Sequence, residues 1–225
     1  MSISQEAKSK VKTDWLQAFP ELAAYSRTCF YKIAGPIVFG IQIINSPYTG
    51  NNYRPYFSIY PLWEKNATSC MERPFLYFGI HNAKNLTFDI EYDKHDVCFQ
   101  EAVYCTRNYI QMPFEGNIPL KSIYEVIKHN AFTYDAHGII QAHLLKLHLL
   151  FYLKQQKEIE QLLQEIEINK GKLLSSYFEH FFGHFDIWFL NLKESLSSRD
   201  EFMKKIEINK QDKKLKKLMV SEIVV

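Results

Sequence analysis

The stretch Gly116-Asn117-Ile118-Pro119 divides the chain into two patterns. Before it, apolar and aromatic residues come in short runs that alternate with a period of two. After it, they recur every three or four residues. A period of two belongs to strands, whose successive side chains point to opposite faces, and a period near 3.6 belongs to helices. The pattern predicts an α+β protein. Residues 1–116 form an aromatic-rich half, with an N-terminal helix and an antiparallel meander sheet of about five strands. Residues 117–225 form a helical half, a bundle of four or five helices packed against the sheet. No Pro/Gly/Ser-rich linker separates the halves, so one continuous core is expected.

Upstream of the boundary, Cys29, Tyr31 and Ile33 alternate with Thr28, Phe30 and Lys32. Gly35-Pro36 reads as a turn. Ile37, Phe39, Ile41 and Ile43 then share one face, and Ser46 to Asn52 reads as a loop. Pro55 to Trp63 resumes strand character, and Phe75 to Ile80 reads as a buried strand. Leu86, Phe88, Ile90 and Tyr92 alternate with Thr87, Asp89 and Glu91, which predicts a strand with one wet face. The short connections favour antiparallel neighbours, because parallel ones need long crossovers. At the start, Ser2 and Gln5 have capping-box spacing. They precede a helix bearing Ala7, Val11, Trp15 and Phe19, which Pro20 ends. Asp96 to Tyr109 reads as a helix.

Downstream, Ile123, Val126, Ile127 and Ala131 mark a helix. Ile139 to Leu153 is apolar nearly all round, as a central buried helix would be. Ile159, Leu162, Leu163 and Ile166 form an amphipathic stripe. Leu174, Tyr177, Phe178, Phe181, Phe185, Trp188 and Leu192 predict one long helix. Ser198 and Glu201 cap a last helix carrying Phe202 and Ile206, which is expected to fray into Lys213, Lys214, Lys216 and Lys217.

Bulk properties exclude several classes. With 225 residues, 47% of them hydrophobic, the chain can bury a core. A net charge of +2 argues against a general nucleic-acid coating protein, whose affinity needs many uncompensated cations. No apolar stretch approaches the roughly 20 residues of a membrane helix, and the polar start is no secretory signal. A cytoplasmic protein without membrane contact is expected. The cysteines, at 29, 70, 98 and 105, are scattered, as suits buried thiols rather than a disulfide framework. No nucleophile elbow and no glycine-rich phosphate loop is present, so no cofactor and no catalytic residue is assigned.

His180 and His184 stand four apart, a spacing that can bring two imidazoles to one metal in a metal-assisted hydrolase. No Glu lies between them to act as a base, and no third ligand is identifiable, so the bland reading is a pair of polar-face histidines. His81 and His95 flank the acidic Leu86–Tyr92 run and could form an acid–base pair. A solvated hairpin edge explains the same residues. The C-terminal lysines could serve a nucleic-acid accessory protein, or simply solvate a helix end.

The asymmetry that survives is compositional. Ten of the fourteen tyrosines and four of the five arginines precede Gly116. Tyr, Trp and Arg dominate interface hot spots. The segment from Tyr48 to Trp63 concentrates them, so Tyr48, Tyr53, Arg54, Tyr56, Tyr60 and Trp63 are the expected partner-binding residues. Phe57 and Ile59 would serve the core while Tyr56 and Tyr60 face outward. In the alternative, helices cover both faces and all these rings are core.

The order Trp15, Phe19-Pro20, Arg27, Gly35, Ile41-Gln42 and Phe57 to Ile59 resembles a bacterial family of uncharacterised α+β domains. It is similar also to small immunity proteins that neutralise toxins. The resemblance covers residues 15–59 and implies a non-catalytic protein that binds a partner, such as a cognate toxin.

Overall fold

The hydroxyl of Ser4 accepts a hydrogen bond from the Ala7 amide at 3.1 Å and starts helix α1 (Gln5–Ala18). The cap is therefore Ser4, whereas the predicted Ser2 lies outside the described residues. The structure is a computed structural model and describes residues 3–46, 50–130, 136–173 and 176–225. Val11 and Trp15 form the buried stripe of α1, which ends at Phe19.

A sheet follows: β1 (Ala23–Ala24), β2 (Cys29–Ala34), β3 (Ile37–Asn45) and β4 (Asn52–Pro61). After the short helix α2 (Ala67–Cys70) come β5 (Leu76–Gly79) and β6 (Ile90–Glu91). The path β1-β2-β3-β4-β5 is antiparallel throughout, as short connections require. The alternating run Leu86–Tyr92 is ordered differently from the expected strand. Only Ile90–Glu91 pairs with β4, and His81 and Thr87 make an isolated bridge. Helix α3 (His95–Tyr109) then packs on α1, with Phe99 edge-on to Trp15 at 5.5 Å.

The boundary itself is a strand, β7 (Ile118–Pro119), and it leads into α4 (Leu120–Asn130). Helices α5 (Ala136–Tyr152), α6 (Gln156–Ile168), α7 (Lys170–Leu173), α8 (Ser176–Phe182), α9 (Phe185–Ser195) and α10 (Arg199–Lys210) follow. The expected long helix from 174 to 192 is broken between α8 and α9. Gly183 there has φ +74°, a conformation that ends a helix and that glycine adopts without strain. Ser198 caps α10 as expected.

The C-terminus does not fray. After a short 3-10 turn at Leu215–Lys217, β8 (Met219–Ser221) pairs parallel with β2, and β9 (Ile223–Val224) pairs parallel with β7. The sheet is thus not purely antiparallel. The last residues lie beside the first strands, and the buried side chains from Val11 to Ile223 form one cluster. No helix among the described residues is long and apolar enough to cross a membrane.

Candidate functional site

Cross-strand partners project from the same side of a sheet, so the register defines two faces. Phe30, Lys32, Phe39, Ile41, Phe57, Ile59 and Phe78 share one face. It meets the Phe114 ring, which packs on Phe19, and Trp15 continues the cluster from Phe19 to Phe99, which makes this face the central core. The opposite face carries Cys29, Tyr31, Gly40, Gln42, Arg54, Tyr56, Ser58, Tyr60 and Tyr77.

This tyrosine face has a closed end and an open end. At the closed end Tyr31 and Tyr60 are buried, their rings 5.6 Å apart, and Tyr25 lies 5.8 Å from Tyr31. The C-terminal segment reaches over this end, with Lys214 Nζ 5.2 Å from the Tyr25 ring. Ser58 Oγ is buried beside the Tyr31 and Tyr60 hydroxyls, and among the described residues it makes no hydrogen bond of ordinary geometry. At the open end Cys29, Gln42, Arg54, Tyr56 and Tyr77 are half-buried. The Tyr56 and Tyr77 rings stack at 4.7 Å with planes 16° apart. Arg54 Nη2 donates to Asp89 Oδ2 at 2.7 Å, and that bond holds the Asp89 carboxyl below its usual range against the opposing effect of burial. Burial pushes the Tyr77 phenol up to about 12, so it stays neutral and can both donate and accept.

The six residues predicted to bind a partner therefore separate. Arg54 and Tyr56 stand on the open end. Tyr60 shares their face but is covered, and Trp63, beyond the strand, is buried in a stack on His148. Tyr53 is one residue out of phase with Arg54, so it points into the core and is fully buried. The expectation that Tyr60 faces outward to a partner is corrected: it stands on that face but is buried, packed on Tyr31. Tyr48 lies outside the described residues. Sequence reading missed Gln42 and Tyr77, which only the register brings beside Tyr56.

A second polar constellation runs from the core outward. The Tyr53 hydroxyl lies 2.7 Å from His95 Nδ1, and His95 Nε2 lies 2.9 Å from Asp14 Oδ2. Lys10 Nζ bonds Asp14 at 2.8 Å and also Asp96. Burial pushes the Asp14 carboxyl up, but the bonds from Lys10 and His95 outweigh it and leave the group below its usual range. Among the described residues, Asp14, His95 and Asp96 form the one group of three side chains close enough to share a metal. Its ligands are already engaged: both ring nitrogens of His95 are bonded, and the Lys10 ammonium bridges the two carboxylates. The chain of bonds ties α1, β4 and the start of α3 together.

His95 is thus committed to Tyr53 and Asp14. His81 lines a separate cavity of about 410 Å³ with Cys105, Tyr109 and His129, so His81 and His95 do not come together as the acid–base pair set against the hairpin-edge reading. His180 lies in α8 and His184 precedes α9, on either side of Gly183, and both are exposed. They do not share the helical face that the metal reading required.

Comparison with protein-family models, curated proteins and solved structures finds no match to this chain.

Proposed function

We propose that the chain is a non-catalytic binding protein that engages another protein through the open end of its tyrosine face. The observation that carries this reading is the half-exposed Tyr56–Tyr77 stack, set beside an arginine whose guanidinium is anchored by Asp89. Stacked rings are already ordered, so little side-chain entropy is lost on contact. An anchored arginine adds directional donors, and its buried Nε has no acceptor among the described residues. In its specific form the proposal is an immunity-type role in the bacterial cytoplasm, with a cognate toxin as the partner. The resemblance over residues 15–59 motivates that form.

The test is affinity capture from the host with wild-type, Tyr56→Ala and Arg54→Ala proteins, each checked for an unchanged melting profile. One partner held by the wild type and lost from both variants is the expected result, each truncation costing about 2 kcal/mol, or roughly 30-fold in affinity. A partner held equally by all three overturns the assignment of this face. A partner without toxin activity overturns the immunity form alone.

A further inference from the structure

Lys32 lies on the core face of β2, opposite Phe39, and only 4% of its surface is exposed. Its ammonium has three donors, yet among the described residues it makes one hydrogen bond, from Nζ to the Phe114 carbonyl at 2.8 Å. A cavity of about 530 Å³ opens beside it, walled by Pro20, Glu21, Glu115, Asn117 and Val220. A buried lysine at the wall of a cavity resembles the arrangement in which lysine acts as a nucleophile rather than as a surface charge.

The charges around the cavity decide what it admits. Glu21 and Glu115 line the cavity together with Lys32, and Glu21 is the carboxylate that acts on the amine. Arg107 reaches Glu21 at 3.4 Å but stays half-exposed over the Phe19 ring, outside the lining. With Glu21 paired to Arg107 and Glu115 beside Lys32, the cavity carries no excess of positive charge to draw in an anion. Burial also pulls the amine below its ordinary value, and Glu21 only partly offsets this, so more of the amine is free base than for a surface lysine. An amine with a free lone pair next to a cavity without excess positive charge suits a neutral electrophile.

We propose that Lys32 forms an imine with a small neutral aldehyde admitted by this cavity. The Nζ lone pair attacks the carbonyl carbon and gives a carbinolamine. Both amine protons end on the former carbonyl oxygen, which departs as water, and the carbon–nitrogen double bond remains. Amine plus aldehyde gives imine plus water, and no oxidant or reductant is consumed. This site is separate from the tyrosine face and stands or falls independently of it.

The experiment treats the folded full-length protein with propionaldehyde at pH 7, traps imines with cyanoborohydride, and follows labelling of each lysine by peptide mass spectrometry. Lys32 is expected to label at least tenfold faster than the median of the exposed lysines, and the preference is expected to vanish in urea. Labelling at or below the exposed lysines overturns the proposal and leaves Lys32 as a strut for the Phe114 carbonyl. A preference that persists in urea also overturns it, because the cavity would then have no part in the reactivity.

Discussion

The indole of Trp63 and the imidazole of His148 stack with ring centroids 4.5 Å apart and planes 8° apart. The pair joins the end of the sheet to α5, and Phe202 of α10 packs on both rings. His148 Nδ1 lies 2.7 Å from the Leu144 carbonyl, which can only accept, so that nitrogen carries the proton. Full burial pulls the imidazole from its ordinary 6.5 down to about 4.

That shift predicts an acid-sensitive step in stability. Between pH 4 and 6.5 the unfolded chain binds a proton at His148 and the folded chain does not. The stabilisation is thus fully present above 6.5, and it falls progressively as the pH drops towards 4. The full step is on the order of 3 kcal/mol. Urea unfolding at pH 4, 5 and 7 measures it. His148→Phe keeps a ring on Trp63 and removes this titration, so it is expected to make the segment shallower, leaving the contribution of His143, which burial also holds below 6.5. Asp14 and Asp89, both held below their usual 3.8, lose most of their contribution below pH 4, so the interval from pH 5 to 7 isolates the histidine step.

Tyr53→Phe deletes one hydroxyl and leaves His95 Nδ1 buried without its partner. Leaving a buried polar group unpaired costs about 1–3 kcal/mol. The Tyr53→Phe and His95→Leu pair is expected to be non-additive, because each change alone orphans the other residue. Denaturant unfolding of the two single variants and the double variant measures the coupling. Additive losses would remove the Tyr53–His95 bond from the account of how β4 is tied to α3.

Two glycines separate local strain from collision. A Cβ on Gly40 would lie 2.1 Å from the Phe30 carbonyl oxygen in the neighbouring strand. Backbone cannot yield by that amount without breaking the β2–β3 ladder. Gly40→Ala is expected to cost more than about 4 kcal/mol or to prevent folding. Gly116 has φ +62°, and nothing lies within 4 Å of where its Cβ would stand, so Gly116→Ala is expected to cost only about 1–2 kcal/mol. Equal losses in thermal unfolding would refute this distinction.

The α+β class, α1 and the central antiparallel strands were legible because periodicity there is strong and each turn is punctuated, as at Gly35-Pro36. The tyrosine face was only half legible. Tyr56 and Arg54 stand out by type, but Tyr77 and Gln42 become their neighbours through a register that no single strand reports. The run Leu86–Tyr92 shows the limit of alternation. Phe88 and Ile90 are buried as the period demands, yet Leu86 is exposed and most of the segment finds no ladder. Alternation states which side chains face inward, while pairing depends on whether a free strand edge lies within reach.

The C-terminal strand supplies the sharpest contrast between sequence pattern and structure. A lysine run followed by Leu218-Met219-Val220-Ser221 looks like a dissolving helix end, because charge dominates the composition. In the fold the lysines at 213, 214, 216 and 217 are not buried, while Leu215, Leu218 and Ile223 are. Ser221 closes the edge of β2 twice, donating from Oγ to the Ile33 carbonyl at 3.2 Å and accepting from the Gly35 amide at 3.1 Å. The Glu222 carbonyl accepts from the Ile118 amide at 2.8 Å. Removing residues 219–225 therefore exposes one buried isoleucine site and several backbone groups, for a loss of about 3–5 kcal/mol. Replacing Lys216 and Lys217 by Ala touches only solvated charge and is expected to change stability by less than about 0.5 kcal/mol. Thermal and urea unfolding of the two variants checks both values. If the truncated protein were as stable as the full chain, the parallel pairing of β8 with β2 would not be part of what holds the two halves together.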